Sequence, residues 1–146
     1  MRSRHLSIFC GFKDKGDYTA DELADTVRRD VRERTGARED RIMPYIQMHE
    51  FESLLFSDVD AFRVVKADSL AIEKLRDIRS EFRTPEEIND NRDTAPGKRI
   101  SGVLRRYSKP VDGPMIAEQA GLEKIRSACP RFGAWVCHLE SLSICN

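Results

Sequence analysis

The spacing of apolar residues changes at Met48–His49, and this change constrains the fold more than any other feature of the sequence. Over residues 41–48 apolar side chains alternate around Pro44, a pattern typical of a strand with proline at its start or on a sheet edge. From His49 onward the apolar side chains fall three and four positions apart, as on one face of a helix. The sequence therefore predicts that a strand passes into a helix at His49–Glu50.

The predicted elements on either side of this junction indicate an α/β fold. An apolar run at residues 6–9 predicts an earlier strand, and a capping box at Thr19–Glu22 starts a helix that Gly36 ends. A strand, a helix of about sixteen residues and a second strand are typical of a parallel pair with a right-handed crossover. The expected architecture is a partial parallel sheet flanked by helices.

The C-terminal two thirds of the sequence predict a series of short helices. Their start signals are Ser57 or Asp58, Ser69, Thr84-Pro85, Ala95-Pro96, Gly113-Pro114 and Pro130. Two strands are too few for an independent α/β sheet, which normally has four to six. Beside this helix-rich C-terminal half, the shortage of strands predicts either that another segment completes the sheet or that the chain is part of a larger fold.

Size and composition indicate a single domain over residues 1–146. The chain has 40% hydrophobic and 34% charged residues, a formal net charge of zero, and no apolar run long enough to span a bilayer. The apolar stretch near the N-terminus is too short for a signal peptide, so we expect a cytoplasmic protein without membrane contact. None of the four cysteines forms a CxxC pair, and we expect Cys129 and Cys137 to pack as small apolar groups.

The predicted strand-to-helix junction carries the first candidate site. His49, Glu50 and Glu52 follow the carboxyl end of the predicted strand, where open α/β sheets bind ligands. Two such carboxylates could hold Mg²⁺, with water completing its octahedral coordination. The alternative is that acids in a first helical turn only complement the helix dipole and face solvent. A zinc-protease HExxH motif is excluded because Ser53 stands where the second histidine would be.

A basic segment carries the second candidate site. Residues 92–109 contain six basic side chains and one acid. Lys98 and Arg99 lie at a predicted helix start, where free backbone N–H groups also favour phosphate. Arg105 and Lys109 extend the positive surface, which could follow a nucleic-acid backbone. The alternative is a solvated face that pairs with acids elsewhere in the chain.

Five motifs in order resemble a known bacterial family. They are YIQMHEFESLLFSD from Tyr45, FxTPEEIND at 82–90, TAPGKRI at 94–100, YSKxVDGPxIAE at 107–118, and GLEKIRSACPRFGAWVCHLESL at 121–142. Together they make the chain similar to the family called domain of unknown function 4276, over about residues 7 to 142. Gly97 stands where the family usually has serine.

The resemblance implies a Toprim-like nuclease domain of a phage-defence cassette, encoded beside an AAA-type ATPase. It implies phosphodiester hydrolysis that depends on Mg²⁺, or alternatively Mn²⁺. On this reading Glu50 and Glu52 are metal ligands and act in catalysis with His49. The family motif assigns nucleic-acid or phosphate contacts to Lys98 and Arg99, and the basic segment adds Arg105 and Lys109.

The chain also departs from the family pattern at its N-terminus. The opening glycine-and-glutamate motif is missing, and residues 7–11 carry no acid where the family usually has an aspartate. We therefore expect an N-terminally truncated Toprim-like domain. Two alternatives remain open: a non-catalytic interaction module that docks to an AAA-type ATPase through its helical C-terminal half, and a metal-dependent hydrolase of small phosphorylated molecules.

Overall fold

All regular structure in the described part of the chain is helical. The computed structural model describes residues 18–88 and 94–143, and within these ranges it contains α-helices and short 3₁₀ helices but no strand. The predicted α/β fold with a Toprim-like partial parallel sheet is therefore wrong for these residues. The strand predicted at residues 6–9 lies outside them.

The first of two compact units, Met1–Met48, contains the predicted capped helix. Helix α1 spans Ala20–Thr35. The Thr19 hydroxyl accepts a hydrogen bond from the Glu22 N–H, and the Glu22 carboxylate accepts one from the Thr19 N–H. Gly36 ends the helix with a φ of 67°, a left-handed conformation that glycine adopts without strain. The predicted start and end of this helix are confirmed.

The strand predicted at residues 41–48 is absent. A 3₁₀ helix, Glu39–Arg41, leads into a segment without regular structure. Residues 42–50 are all half-buried, so the apolar alternation in the sequence does not become an alternation of buried and exposed side chains. A strand also needs a hydrogen-bonded neighbour, and the described residues form no ladder.

The second unit, His49–Asn146, is a set of short helices. Its α-helices are α2 (Glu52–Leu55), α3 (Ser69–Ser80), α4 (Pro96–Val103), α5 (Lys109–Ala120), α6 (Leu122–Ala128) and α7 (Pro130–Ser143). Two 3₁₀ helices, Val59–Val65 and Pro85–Glu87, connect them. The predicted helix starts at Pro96 and Pro130 are confirmed, whereas α5 begins before Gly113 and contains Pro114.

One apolar cluster holds α2 to α5 of this unit together. Its fully buried large side chains are Leu55, Phe56, Phe62, Ile72, Leu75, Ile88, Ile100 and Ile116. Burying a side chain of this size stabilises the fold by about 1.5–3 kcal/mol relative to leaving it exposed. A smaller cluster joins Leu54 to Ile125 and Cys129. The two clusters fix the segments that carry the candidate site.

The helix predicted to start at Thr84-Pro85 does not form. Thr84-Pro85-Glu86-Glu87 begins only a single 3₁₀ turn, and Thr84 makes no side-chain cap. The Glu86 carboxylate instead accepts hydrogen bonds from the N–H groups of Arg131 and Phe132, 3.0 and 2.9 Å away, at the start of α7. Glu87, the glutamate of the predicted start signal, accepts a local hydrogen bond from the Arg83 N–H at 3.1 Å. Glu86 is held by a tertiary contact that the local pattern does not show.

The two described cysteines differ in environment. Cys129 is fully buried, as predicted, and its Sγ lies 3.3 Å from the Ser57 hydroxyl. Burial raises the pKa of the Cys129 thiol to about 11; the Glu86 charge also raises it, while the Ser57 hydrogen bond and Arg79 lower it. Cys137 is exposed, so the prediction that it packs as an apolar group is wrong.

The described helices do not include a membrane-spanning segment. None of them combines the length and the apolar composition needed to cross a bilayer.

Candidate functional site

Glu52 is a buried acid at the start of a very short helix. Helix α2 carries Leu54 and Leu55 into the two apolar clusters, and this packing takes Glu52 to 6% exposure. A buried carboxylate is strongly destabilising unless a cation or hydrogen-bond donors compensate its charge. The compensating group comes from a residue far along the chain.

Lys109 bridges the two predicted metal ligands. Its ammonium nitrogen Nζ lies 2.8 Å from Glu50 Oε1 and 3.2 Å from Glu52 Oε1. Lys109 is the first residue of α5, whose Ile116 is buried in the larger apolar cluster. The two carboxylates therefore converge on one cationic group. We call Glu50 and Glu52 the acid pair and Lys109 its lysine.

The start of α4 completes this cluster. The Gly97 N–H donates a hydrogen bond of 2.9 Å to Glu50 Oε2, so Glu50 accepts from Lys109 and from the helix N-terminus together. The fit at Gly97 is close. A Cβ there would lie 2.6 Å from Cε and Nζ of Lys109 and 2.8 Å from Glu50 Oε2. Glycine at this position lets the two side chains meet directly over the helix start.

The pKa values of Glu50 and Lys109 follow from these contacts. Burial raises the pKa of Glu50, but the hydrogen bonds from Lys109 and Gly97 and the charges of Lys109 and Lys98 outweigh it and hold that pKa below its ordinary value. Burial lowers the pKa of Lys109, but hydrogen bonds and charges from Glu50 and Glu52 outweigh it and raise that pKa. At neutral pH the cluster thus contains an ionised Glu50 and a protonated Lys109.

Tyr107 stands beside the acid pair. Burial, and then the charges of Glu52, Asp112 and Glu50, raise the pKa of its hydroxyl, so the phenol stays neutral. Its buried Oη has no hydrogen-bond partner among the described residues. A Cβ on Gly113 would lie 3.3 Å from this oxygen. Tyr107 is therefore a neutral polar group held close to two carboxylates.

The other predicted site residues lie in different surroundings. His49 is half-buried and directly precedes Glu50. Lys98 is exposed, and its charge acts on Glu50. Arg105 is exposed beyond the end of α4.

Arg99 is engaged in contacts that organise the chain around α4. Its guanidinium lies 3.3 Å from Glu81 Oε2, donates to the Thr94 carbonyl at 2.8 Å, and stacks over the Phe82 ring at 5.2 Å. Its side chain is 18% exposed. These contacts position Glu81, Phe82 and Thr94 against Arg99. The assignment of Arg99 to phosphate binding stays a prediction.

Sequence reasoning identified the charged members of the cluster but not how they meet. The sequence predicts Glu50, Glu52 and Lys109 as site residues, but it pairs Lys109 with a phosphate and not with the two acids. Gly97 and Tyr107 were not assigned roles. The available signals were the helix start at Ala95-Pro96-Gly97 and the Ser108-Lys109-Pro110 start of α5, since both place polar groups at helix N-termini.

The acid pair has a donor set that suits a divalent cation. The described residues contain no group of three or more His, Cys, Asp or Glu side chains that could hold a metal ion. Mg²⁺ is often bound by only one or two carboxylates, with water and substrate phosphates completing its shell. Glu50 and Glu52 already share a cation, the Lys109 ammonium, whose side chain is 49% exposed. Glu50 and Glu52 can bind Mg²⁺ in this way when the Lys109 side chain turns from the two acids towards a phosphate.

Comparison with known proteins identifies the family to which the chain belongs. The family described as Domain of unknown function (DUF4276) matches residues 7–140. No curated protein and no solved structure matches the chain. The match covers most of the sequence, including every residue of the acid pair and its lysine. The chain therefore belongs to the DUF4276 family.

Proposed function

We propose that the protein is a metal-dependent nuclease that hydrolyses phosphodiester bonds at the acid pair and its lysine. The proposal does not depend on a Toprim-like sheet. It depends on one observation: Glu50 and Glu52 converge on a single cationic group, at 2.8 and 3.2 Å. Two carboxylates brought together in this way repel, and Lys109 supplies the positive charge that offsets the repulsion in the structure. A metal ion would supply that charge when Lys109 turns towards a phosphate.

Glu50 and Glu52 are the proposed ligands of Mg²⁺ or Mn²⁺. The ion, when bound, would polarise a phosphoryl oxygen and lower the pKa of a bound water. The low pKa of Glu50 keeps this carboxylate ionised at neutral pH, which suits a ligand of a hard cation. The burial of Glu52 limits competition from water for its oxygens.

Lys109 and Lys98 are the proposed phosphate contacts. A lysine ammonium is protonated at neutral pH, so Lys109 acts as a positive charge rather than a base when it has turned from the acids towards the phosphate. Such a charge stabilises the negative charge that accumulates on phosphorus oxygens in the transition state. Lys98 adds a second positive charge near Glu50. His49, next to Glu50 in the chain, is the residue to which we assign proton acceptance, since imidazole is the commonest general base.

Cleavage assays on DNA and RNA test this function. The purified chain should cut one of them in the presence of Mg²⁺ or Mn²⁺ and not after chelation. Glu50→Gln and Glu52→Gln keep the size of each side chain, and each should reduce cutting by about 100-fold, as expected for loss of a group that stabilises the transition state. Glu118→Gln, on the exposed face of α5, is the matched control and should cut at the wild-type rate. Equal cutting by all four proteins would refute the proposal.

A second candidate function is docking to an AAA-type ATPase. It is favoured by exposed apolar side chains in the helical C-terminal half: Val111 and Met115, four residues apart on α5, are 58% and 42% exposed, and Leu122 is 51% exposed. Exposed apolar clusters often mark protein interaction sites. Co-purification with the ATPase should be lost in Val111→Ser/Met115→Ser and kept in Glu50→Gln. Retention of the complex in the double serine variant would refute this candidate.

A further inference from the structure

The second unit contains a cavity that the proposed hydrolysis does not use. Its volume is about 590 Å³, within the range of small-molecule sites. Its walls come from the end of the 3₁₀ helix Val59–Val65, the first turns of α3, the segment between α4 and α5, and Asp112 of α5. We propose that this cavity binds a nucleotide unit, with the phosphate held by its basic wall and the base against its apolar wall.

The basic wall carries an excess of positive charge. Four cations line the cavity, namely Lys66, Lys74, Arg105 and Arg106. None of them forms an ion pair with another residue in the described ranges. The two acids on the wall already have backbone partners: Asp68 accepts from the Ala71 N–H at 2.8 Å, and Asp112 accepts from the Ser108 N–H at 2.7 Å. Converging cations without acidic partners favour a phosphate group.

The apolar wall indicates a site for a nucleotide rather than for a bare anion. It includes Val65, Leu70, Ala71, Val103 and Leu104, together with Tyr107. Leu70 is 59% exposed although it lies on the first turn of α3, so a planar ring placed against it would remove apolar surface from water. A site for inorganic phosphate alone would not need this surface.

Lys66 supplies an independent sign of a functional position. It has a φ of 63°, and it is the one non-glycine residue with positive φ among those described. Lys66 follows the 3₁₀ helix as its C-cap, a position where glycine or asparagine is usual because a Cβ is strained there. A lysine kept in a strained conformation on a cavity wall indicates a role for its side chain.

Calorimetric titration with defined probes tests the proposal. Each nucleoside 5′-monophosphate should be compared with its nucleoside, with inorganic phosphate, and with a short 5′-phosphorylated single-stranded oligonucleotide. At least one monophosphate should bind more tightly than both its nucleoside and inorganic phosphate. A tighter oligonucleotide would identify a nucleic-acid end as the source of the nucleotide, and an equal affinity would identify the free nucleotide. The proposal would be overturned if neither the monophosphates nor the oligonucleotide showed saturable binding, or if a nucleoside bound as tightly as its monophosphate.

Variants locate the binding to the cavity. Arg105→Gln/Arg106→Gln should weaken nucleotide binding about tenfold, the loss expected for two solvent-exposed charge contacts. Arg76→Gln/Arg83→Gln, which removes two exposed arginines outside the cavity, is the charge-matched control and should bind as wild type. Unchanged binding in the first variant would overturn the assignment.

Lys66→Gly distinguishes the effect of the Lys66 side chain on nucleotide binding from its effect on stability. Glycine relieves the positive φ, so the variant should melt at a higher temperature than wild type while binding the nucleotide several-fold more weakly. A Lys66→Gly protein that binds like wild type would contradict the role of this side chain. Glu50→Gln should retain nucleotide binding, so failure of the cavity proposal and failure of the proposed hydrolysis are distinguishable.

Discussion

Glu52 is the residue whose environment most needs explanation. A carboxylate at 6% exposure is tolerated because Lys109 lies 3.2 Å away, yet Lys109 is itself half-exposed and is shared with Glu50. Each of these three side chains therefore depends on the other two. Removing the lysine leaves two acids facing each other, whereas removing one acid leaves a matched pair.

Lys109→Met tests this dependence because it keeps the apolar stem and removes the charge. We expect it to lower the free energy of unfolding by about 1–3 kcal/mol, the cost of leaving a buried polar group without its partner. We also expect Mn²⁺ to restore much of that loss, since the ion can replace the ammonium between the two acids.

Lys124→Met is the matched control for this prediction. Lys124 lies 2.7 Å from Asp58, whose side chain is 16% exposed, so this variant also strips a largely buried acid of its lysine. No second acid faces the same lysine in the described residues, and Mn²⁺ should not rescue it. Thermal melts with and without Mn²⁺ measure the rescue, and equal rescue of both variants would show that Mn²⁺ does not act between Glu50 and Glu52.

The lowered pKa of Glu50 predicts how stability depends on pH. A carboxyl group whose folded pKa lies below its unfolded value stabilises the fold above the unfolded value, here 4.5, and loses that contribution as the pH falls through the folded value. Urea unfolding between pH 6 and pH 3 should therefore show a smaller loss of stability for Glu50→Gln than for wild type. Glu118→Gln should follow the wild-type curve, and a Glu50→Gln curve as steep as wild type would show that the contacts of Glu50 do not stabilise the fold.

At the scale of elements, the start of α4 organises the site. The helix begins with Pro96 and Gly97, and the Gly97 N–H donates a hydrogen bond to Glu50, 47 residues earlier in the chain. The sequence predicts the helix start from Ala95-Pro96 because proline suits the first helical position. It does not predict which anion meets the helix, because that choice depends on tertiary packing.

Gly97 and Gly102 on α4 offer a matched comparison. A Cβ at Gly102 meets nothing within 4 Å, so Gly102→Ala should stabilise the protein by about 0.5–1 kcal/mol through the better helix propensity of alanine. Gly97→Ala should gain less or lose stability, because Lys109 and Glu50 must move to admit the Cβ. Chemical unfolding of both variants measures the difference, and equal gains would mean that the two side chains do not meet over Gly97.

The sequence predicts well those elements whose start and end depend on residues close to them in the chain. Helix α1 follows from the Thr19 capping box and Gly36, both of which act within a few residues. The strand at residues 41–48 failed because strand formation depends on a neighbour, which alternation alone cannot identify. Thr84-Pro85 failed for a related reason: Glu86 binds the start of α7, 45 residues away.

At the scale of the whole molecule, the site is a product of distant contacts. Lys109 and Glu50 are 59 positions apart, and the packing of α2, α4 and α5 brings them together. Sequence reasoning chose Glu50, Glu52 and Lys109 from charge and motif, but placed the acids at the edge of a sheet that the described residues do not contain. The residues could be chosen without the fold, but their mutual arrangement could not.

Mn²⁺ titration followed by electron paramagnetic resonance tests directly whether Glu50 and Glu52 act as one cation-binding unit. We expect one bound Mn²⁺ per wild-type chain, an affinity at least about tenfold weaker in both Glu50→Gln and Glu52→Gln, and wild-type affinity in Glu118→Gln. Because the Lys109 ammonium competes for the same oxygens, Lys109→Met should bind Mn²⁺ more tightly than wild type. Equal affinities in wild type and in all four variants would show that the two glutamates do not bind the ion.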